Sequence, residues 1–243
     1  MQTNNRGAGT LYLVATPIGN LGDITIRALE ILSNVDNIAA EDTRKSRILF
    51  NHHGIKPKRL HSYFGPKEET KARELLGMLK AGDSVALITD AGTPGISDPA
   101  GRIVRMAIEN GVDIVPIPGP SALIAALPVS GFDTSSFVFE GFLPVKSGRR
   151  KATLEKIYLE ERTVILYEST HRILKLLDEL ERDIPDRKVV VARELTKMFE
   201  EFVRGTPSEL KAQLTGKRTK GEFVVLIEGA EKDKASKKSR ATL

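Results

Sequence analysis

Short apolar runs, separated by longer stretches with a helical period, constrain this chain more than any other feature. In the first half TLYLVA (10–15), NIAA (37–40), SVALIT (84–89) and VDIVPI (112–117) are apolar nearly throughout rather than alternating. Strands covered on both faces read this way. Between them lie DITIRALEILSNV (23–35), RKSRILFNHHG (44–54), KEETKARELLGMLKAG (67–82) and PAGRIVRMAIENG (99–111). The first spaces Ile26, Leu29, Ile31, Leu32 and Val35 helically behind a capping Asp23, and the other three end at a glycine. Strands alternating with helices predict an α/β domain with a largely parallel sheet.

The segment PIPGPSALIAALPVSGF (116–132) breaks that rhythm, with three prolines and a glycine in its first five residues. An alanine-rich helix then runs to about Leu127. The expected domains are 1–117 and 118–230, followed by a basic disordered tail, 231–243. The second domain shows strands at 135–142, 162–168, 187–194 and 221–229, and helices at 150–161, 171–182 and 207–216. The fold class is α/β, in two α/β domains, and 243 residues suffice for both cores.

Composition removes several function classes. No apolar run approaches the roughly 20 residues that cross a bilayer, and MQTNNRGAG lacks the apolar stretch of a signal peptide. The expectation is a soluble, cytoplasmic protein with no membrane partner. There is no cysteine, hence no thiolate ligand or nucleophile. His52 and His53 are adjacent while His61 and His171 stand alone, so no metal site is expected. The net charge of +5 is concentrated: residues 231–243 hold five basic and two acidic residues, leaving +2 for the rest. A tail of this kind is either a solvating end or an attractor of polyanions. KSGRRK (146–151) puts four positive charges in six residues; such a run is either a solvated helix face or a loop held over a cleft.

Four connections carry the chemistry. They are TPIGNLGD (16–23), EDTRKS (41–46), DAGTPGISDP (90–99) and PGPSA (118–122), each following an apolar run. In α/β sheets ligands bind beyond the carboxyl ends of strands. Loops of Gly, Pro, Ser and Thr let main-chain groups approach a ligand closely, and a serine at a helix start presents N–H groups to an anion. One such loop is an ordinary turn; four on one sheet edge describe a site read by main chain. TPIGNLGD lacks the G-x-G-x-x-G pattern, and G-x-x-x-x-G-K-[ST] is absent, which argues against dinucleotide and P-loop sites. By default EDTR is a helix cap with an ion pair. The charges of YESTHR (167–172) and RELTKMFEE (193–201) are surface pairs, or the far wall of a cleft.

Taken together, TPIGNLGDIT, AAEDTRKSRILF, DAGTPGISDP, PGPSALIAALPVSGF, FEGFLPVKSGRR, YESTHRI, RELTKMFEEFVRGT and GEFVVLIEG resemble one branch of the tetrapyrrole-methylase superfamily. That branch is the ribosomal RNA small subunit methyltransferase I family, whose members are class III, S-adenosylmethionine-dependent (cytidine-2'-O)-methyltransferases of 16S ribosomal RNA. The likeness runs from about residue 10 to 229 and departs from the family at Thr170, more often proline, and within 61–69. It implies a homodimer and a cofactor cleft between two α/β domains. Carried over by motif, Ile18, Ala91, Gly92, Thr93, Ile96, Ser121, Ala122, Glu168 and Leu195 are the expected S-adenosylmethionine contacts. Lys146, Arg149 and Arg150 are the expected contacts to RNA phosphates, since they form the densest basic cluster within the folded region.

Transfer from a sulfonium to a ribose 2'-oxygen releases a neutral thioether, so the protein must align the oxygen and manage one proton. Asp42, Arg44, Lys45, Asp98 and Lys197 are the catalytic candidates, with Glu168, Arg172, Arg193 and Glu194 also polar groups near the methyl. A base, or a cation lowering the hydroxyl's pKa, serves equally. The competing readings are methylation of a tetrapyrrole, which wants a planar pocket without a basic rim, and a nonenzymatic adenosylmethionine or nucleotide sensor.

Overall fold

The computed structural model describes residues 8–63, 65, 68–98 and 100–231. The chain divides into two compact units after Ala122, so the PGPSA loop stays with the first unit. Most of the expected tail, residues 232–243, lies outside the described residues, as does Pro99.

In the first unit the elements run β1 (Thr10–Val14), α1 (Ile26–Asn34), β2 (Asn37–Ala40), α2 (Thr43–His53), β3 (Leu60–Ser62), α3 (Glu68–Lys80), β4 (Val85–Ile88), α4 (Gly101–Glu109), β5 (Asp113–Ile117) and the short α5 (Ala122–Ala126). The five strands form one sheet in the order β3-β2-β4-β1-β5, and every neighbouring pair is parallel. Helices cover both faces, which is why the strands read as apolar runs. In β4, Val85 and Leu87 join a core with Leu75 and Leu79 of α3 and Ile103 and Ala107 of α4. Ala86 and Ile88 join the other core, with Ala28 and Leu32 of α1 and Phe50 of α2. Strand β3 has no apolar signal of its own; its register with Ile38–Ala40 places it.

The second unit continues with β6 (Phe137–Phe142), α6 (Ser147–Leu159), β7 (Thr163–Ser169), α7 (Ile173–Asp183), β8 (Val189–Arg193), β9 (Glu201–Gly205), α8 (Pro207–Gln213) and β10 (Glu222–Ile227). Its sheet order is β6-β7-β10-β8-β9. Strands β6 and β7 are parallel, and β10 is antiparallel to both β7 and β8. Thus β6, β7 and β8 point the same way and end at one edge. One face, with Val164, Leu166, Val191, Val225 and Ile227, packs on Leu154, Ile157, Leu176, Leu180 and Leu210 of the helices. On the other, the Tyr167 hydroxyl accepts from Leu123 N (3.2 Å), and Arg204 donates to Val129 O, holding residues 123–129 there. Strand β9 lies inside the stretch RELTKMFEEFVRGT and is fixed by its pairing with β8.

Helix α6 begins at Ser147, three residues earlier than its apolar period suggests. KSGRRK is therefore the first turn of a helix rather than a free loop.

Candidate active site

Because the first sheet is wholly parallel, the loops after β1, β2, β4 and β5 all leave from the same edge. There the loops after β1 and β4 are tied to each other. Thr16 and Gly92 exchange both main-chain hydrogen bonds, each 2.9 Å, and the Thr16 hydroxyl donates to Thr89 O at 3.1 Å. The loop after β5 joins them: the Thr93 hydroxyl donates to Pro120 O at 3.0 Å. Gly92 sits at φ +86°, where a side chain is strained, and a Cβ there would stand 3.4 Å from Ile18 Cγ2 and 3.7 Å from Pro120 O. Gly119 is needed for another reason: a Cβ would come within 2.9 Å of Ala15 Cβ, so the loop could not lie so close to the end of β1. Ile18, Gly92 and Thr93 are thus brought together, beside Pro120 and hence Ser121. Ala91 and Ile96 are exposed on the same loop, Ile96 being 40% accessible despite its apolar side chain. Ala122 opens α5.

The polar candidates of this unit are cross-linked between β2 and β4. Glu41 Oε2 accepts from the Thr89 hydroxyl (2.7 Å) and from Asp90 N (3.1 Å). Asp90 accepts from Asp42 N (3.0 Å) and from Lys45 Nζ (2.7 Å). Asp42 caps α2 through Arg44 N (2.8 Å), and the Arg44 guanidinium grips both its oxygens at 3.1 and 2.8 Å. Those bonds from Arg44 hold the Asp42 carboxyl down to about 2, a poor proton acceptor. Lys45 is pushed up by its bond to Asp90, against burial, and stays protonated. Glu41, Asp42, Thr43, Arg44, Ser62 and Asp90 line an open depression of about 500 Å³.

Asp98 differs. Its Oδ1 accepts from Gly95 N (2.7 Å) and Ala100 N (3.1 Å), while Oδ2 is buried without a partner. Burial, and then the Glu41 charge, push this carboxyl up despite the two N–H donors. Tyr63, also buried with an unpartnered hydroxyl, is raised to about 12, chiefly by burial. Asp98, Tyr63, Glu41 and Thr89 line a cavity of about 10 Å³, the size of one water. Glu41, Tyr63 and Asp90 were not among the sequence candidates. A carboxylate directly following the apolar run of β2 was the available signal for Glu41.

Two expectations for the second unit are corrected. Arg150 is not a phosphate contact: it is 2% exposed. Its Nε donates to both Glu179 oxygens (3.1 and 2.9 Å). Its Nη2 lies 2.8 Å from Glu179 Oε2 and its Nη1 3.6 Å from Glu168 Oε2, ionic contacts without hydrogen-bond alignment. Helical spacing explains this: Arg150, Leu154 and Ile157 share the inward face of α6. The Glu168 carboxylate, in turn, is enclosed. It accepts from Ser169 N (2.8 Å) and pairs with Arg172 (3.3 Å) as well as Arg150, so any role toward a ligand falls to its main chain. Leu195 is buried just past β8. Lys146 and Arg149 are exposed at the start of α6. Lys197 bridges Glu194 (2.9 Å) and Glu222 (2.8 Å); burial opposes its charge, but these two partners carry it upward. Arg193 is committed to main-chain carbonyls.

A parallel sheet whose strand-end loops interlock through main chain, followed by a mixed-sheet unit, defines the class. The family model "Tetrapyrrole (Corrin/Porphyrin) Methylases" matches residues 10–211. Among solved structures the fold is similar to a cobalt precorrin-4 methyltransferase, with a TM-score of 0.66 at 21% identity over 90% of this chain and 94% of that one. It is also similar to uroporphyrin-III C-methyl transferase from Thermus thermophilus complexed with S-adenyl homocysteine (TM-score 0.62, 20% identity, 90% of this chain and 97% of that one).

Sequence relatives narrow the class. The chain is 50% identical to "Ribosomal RNA small subunit methyltransferase I" of Synechocystis over 91% of this chain and 80% of that protein. It is 50% identical to the protein of that name from Haemophilus influenzae, over 92% and 80%, and 47% identical to that from Escherichia coli O157:H7, over 94% and 80%. The chain belongs to the tetrapyrrole methylase family, in its ribosomal RNA small subunit methyltransferase I branch.

Proposed function

We propose that this enzyme transfers a methyl group from S-adenosylmethionine to the ribose 2'-oxygen of a cytidine in 16S ribosomal RNA. The observation that carries the site is the interlocked edge of the first sheet, where Ile18, Gly92, Thr93 and Pro120 converge around a position that a side chain would narrow. Such an edge suits a ligand read by main chain. The relatives at 44–50% identity named as ribosomal RNA methyltransferases favour an RNA substrate over a tetrapyrrole. The tetrapyrrole-methylating structures share only the fold, at about a fifth identity.

The donor's contacts on the first unit are Ile18, Ala91, Gly92, Thr93, Ile96, Ser121 and Ala122. Those proposed on the second unit are Leu195 and the main chain of Glu168. S-adenosylmethionine supplies an electrophilic sulfonium methyl. The chain's own tasks are to fix the ribose in line and to take up one proton. Alignment of reactants can supply about 7–11 kcal/mol in the best cases, and a positioned base roughly 10²- to 10⁴-fold. Asp42, clamped by Arg44, is not that base. Asp98 stays a candidate for taking up the proton, and the protonated Lys45 and Lys197 are each candidates for lowering the hydroxyl's pKa. Lys146 and Arg149 take phosphates. The reading includes a homodimer acting in the cytoplasm.

The test is labelled methyl transfer to small subunits lacking the modification, with uroporphyrinogen in parallel. Nuclease digestion and mass spectrometry should place the label on the cytidine sugar. A label that travels with the free base, or transfer to the tetrapyrrole alone, refutes the proposal.

A further inference from the structure

Met198 and Phe199 are 91% and 66% exposed, yet the connection that carries them, residues 194–200 between β8 and β9, is firmly built. Glu194 and Thr196 both hold left-handed backbone conformations, at φ 51° and 65°, which are unfavourable for residues with side chains. Arg193 clamps the segment from below, donating to Phe199 O (3.3 Å), Lys217 O (3.2 Å) and Lys220 O (2.6 Å). Glu200 accepts from Thr196 N, and Lys197 ties Glu194 to Glu222. A strained, heavily bonded loop that ends by holding two large apolar side chains in water does nothing for the core. Strain of this kind points to a ligand.

The surroundings say which ligand. Strands β6 and β8 end at the same edge, three strand positions apart, or about 14 Å. There Phe142 (53%), at the end of β6, and Val145 (84%), in the connection that follows it, are exposed, the Phe142 ring 5.7 Å from that of Tyr167. The acids around the β8–β9 connection are engaged: Glu194 and Glu222 by Lys197, Glu201 by Arg218, and Glu200 by main chain. Lys146, Arg149, Lys217 and Lys220 are exposed and have no acidic partner among the described residues. Exposed aromatic faces among unpaired cations match an unpaired polynucleotide strand, whose bases stack while its phosphates meet the cations. An acidic protein surface would pair the cations but would not offer the exposed rings a run of planar bases between the charges.

We propose that this edge binds an unpaired segment of the RNA substrate, with bases stacked on Phe199 and Phe142, Met198 packed alongside, and phosphates on Lys146, Arg149, Lys217 and Lys220. The inference rests on the RNA reading above and adds the surface that grips bases without regard to their identity.

The chain has no tryptophan, so Phe199→Trp in the full-length protein installs a single reporter. Titration with a short cytidine-rich single-stranded RNA should quench its emission saturably, and the same RNA in a duplex should not. Phe199→Ala should weaken binding of the single strand about five- to hundred-fold while leaving its salt slope unchanged, since stacking releases no counterions. The inference is overturned if the tryptophan is not quenched while the unmodified protein binds the RNA. It is equally overturned if Phe199→Ala leaves RNA affinity intact and instead dissociates a dimer, which would make the edge a contact between copies. If the unmodified protein neither binds nor methylates RNA, the proposed function falls first and this inference with it.

Discussion

Replacing Arg150 by alanine should unfold the second unit far more easily and leave the electrostatics of RNA binding unchanged. The guanidinium is enclosed at 3% side-chain exposure, against a Glu168 carboxylate at 0% and a Glu179 carboxylate at 15%. Removing it leaves Glu168 with Arg172 alone, 3.3 Å away, and Glu179 without a cation. Stripping one partner from a buried pair costs about 3–5 kcal/mol, because the remaining charge stays desolvated. At roughly 2–4 °C per kcal/mol for a chain of this size, the midpoint should fall by about 6–20 °C. Thermal or urea denaturation followed by circular dichroism measures this. Adding Glu168→Gln to the variant should recover part of the loss, since it removes the stranded charge. A wild-type midpoint for Arg150→Ala, together with a reduced salt slope for RNA binding, would refute the reasoning and restore Arg150 as a phosphate contact.

Lys146→Ala/Arg149→Ala should do the reverse, shifting stability by less than about 0.5 kcal/mol while lowering the salt slope of RNA binding by about 0.7–0.9 for each phosphate no longer neutralised; an unchanged slope would make this helix start a merely solvated surface. Gly92→Ala should lower stability by about 1–2 kcal/mol through its φ of +86° and weaken S-adenosylmethionine binding measured by calorimetry, because the added methyl stands against Ile18 and Pro120. Asp98→Asn should keep the acceptor for Gly95 N and Ala100 N yet abolish most methyl transfer. Since the folded carboxyl is held above its unfolded value of 3.8, the native state binds the proton more tightly, and the carboxyl's contribution to stability declines as pH rises through that raised value. The asparagine variant should lose this decline in pH-dependent denaturation and be no less stable at neutral pH; full activity in the variant would remove Asp98 from the chemistry.

The helix starting at residue 147 shows where local reading stopped. KSGRRK reads as a patch of four cations because charge is visible in sequence and direction is not. The spacing Arg150, Leu154, Ile157 already held the inward face, but only the two carboxylates waiting beneath it, Glu179 from α7 and Glu168 from β7, make an inward arginine tolerable. The same applies to RELTKMFEE. Its charges read as surface pairs, whereas β9 begins inside it and Arg193 draws three carbonyls from two loops together. Strand β3, three residues with no apolar signal, exists through its neighbour β2.

What the sequence determined by itself was periodicity and turn chemistry: which stretches are strands or helices, that the first sheet is parallel, and that the unusual loops leave from one of its edges. Those properties depend on neighbours within a few residues, so they are written locally. Motif order likewise marked the family. Only the tertiary structure decided which side chains remain free to act. It bound Asp42 to Arg44, left one oxygen of Asp98 buried and unpaired, enclosed Arg150 and Glu168 in each other's fields, and held Met198 and Phe199 out into solvent. Burial and charge pairing join residues tens of positions apart, and the free energy of an ionisable group is set by those distant partners rather than by its neighbours in the chain.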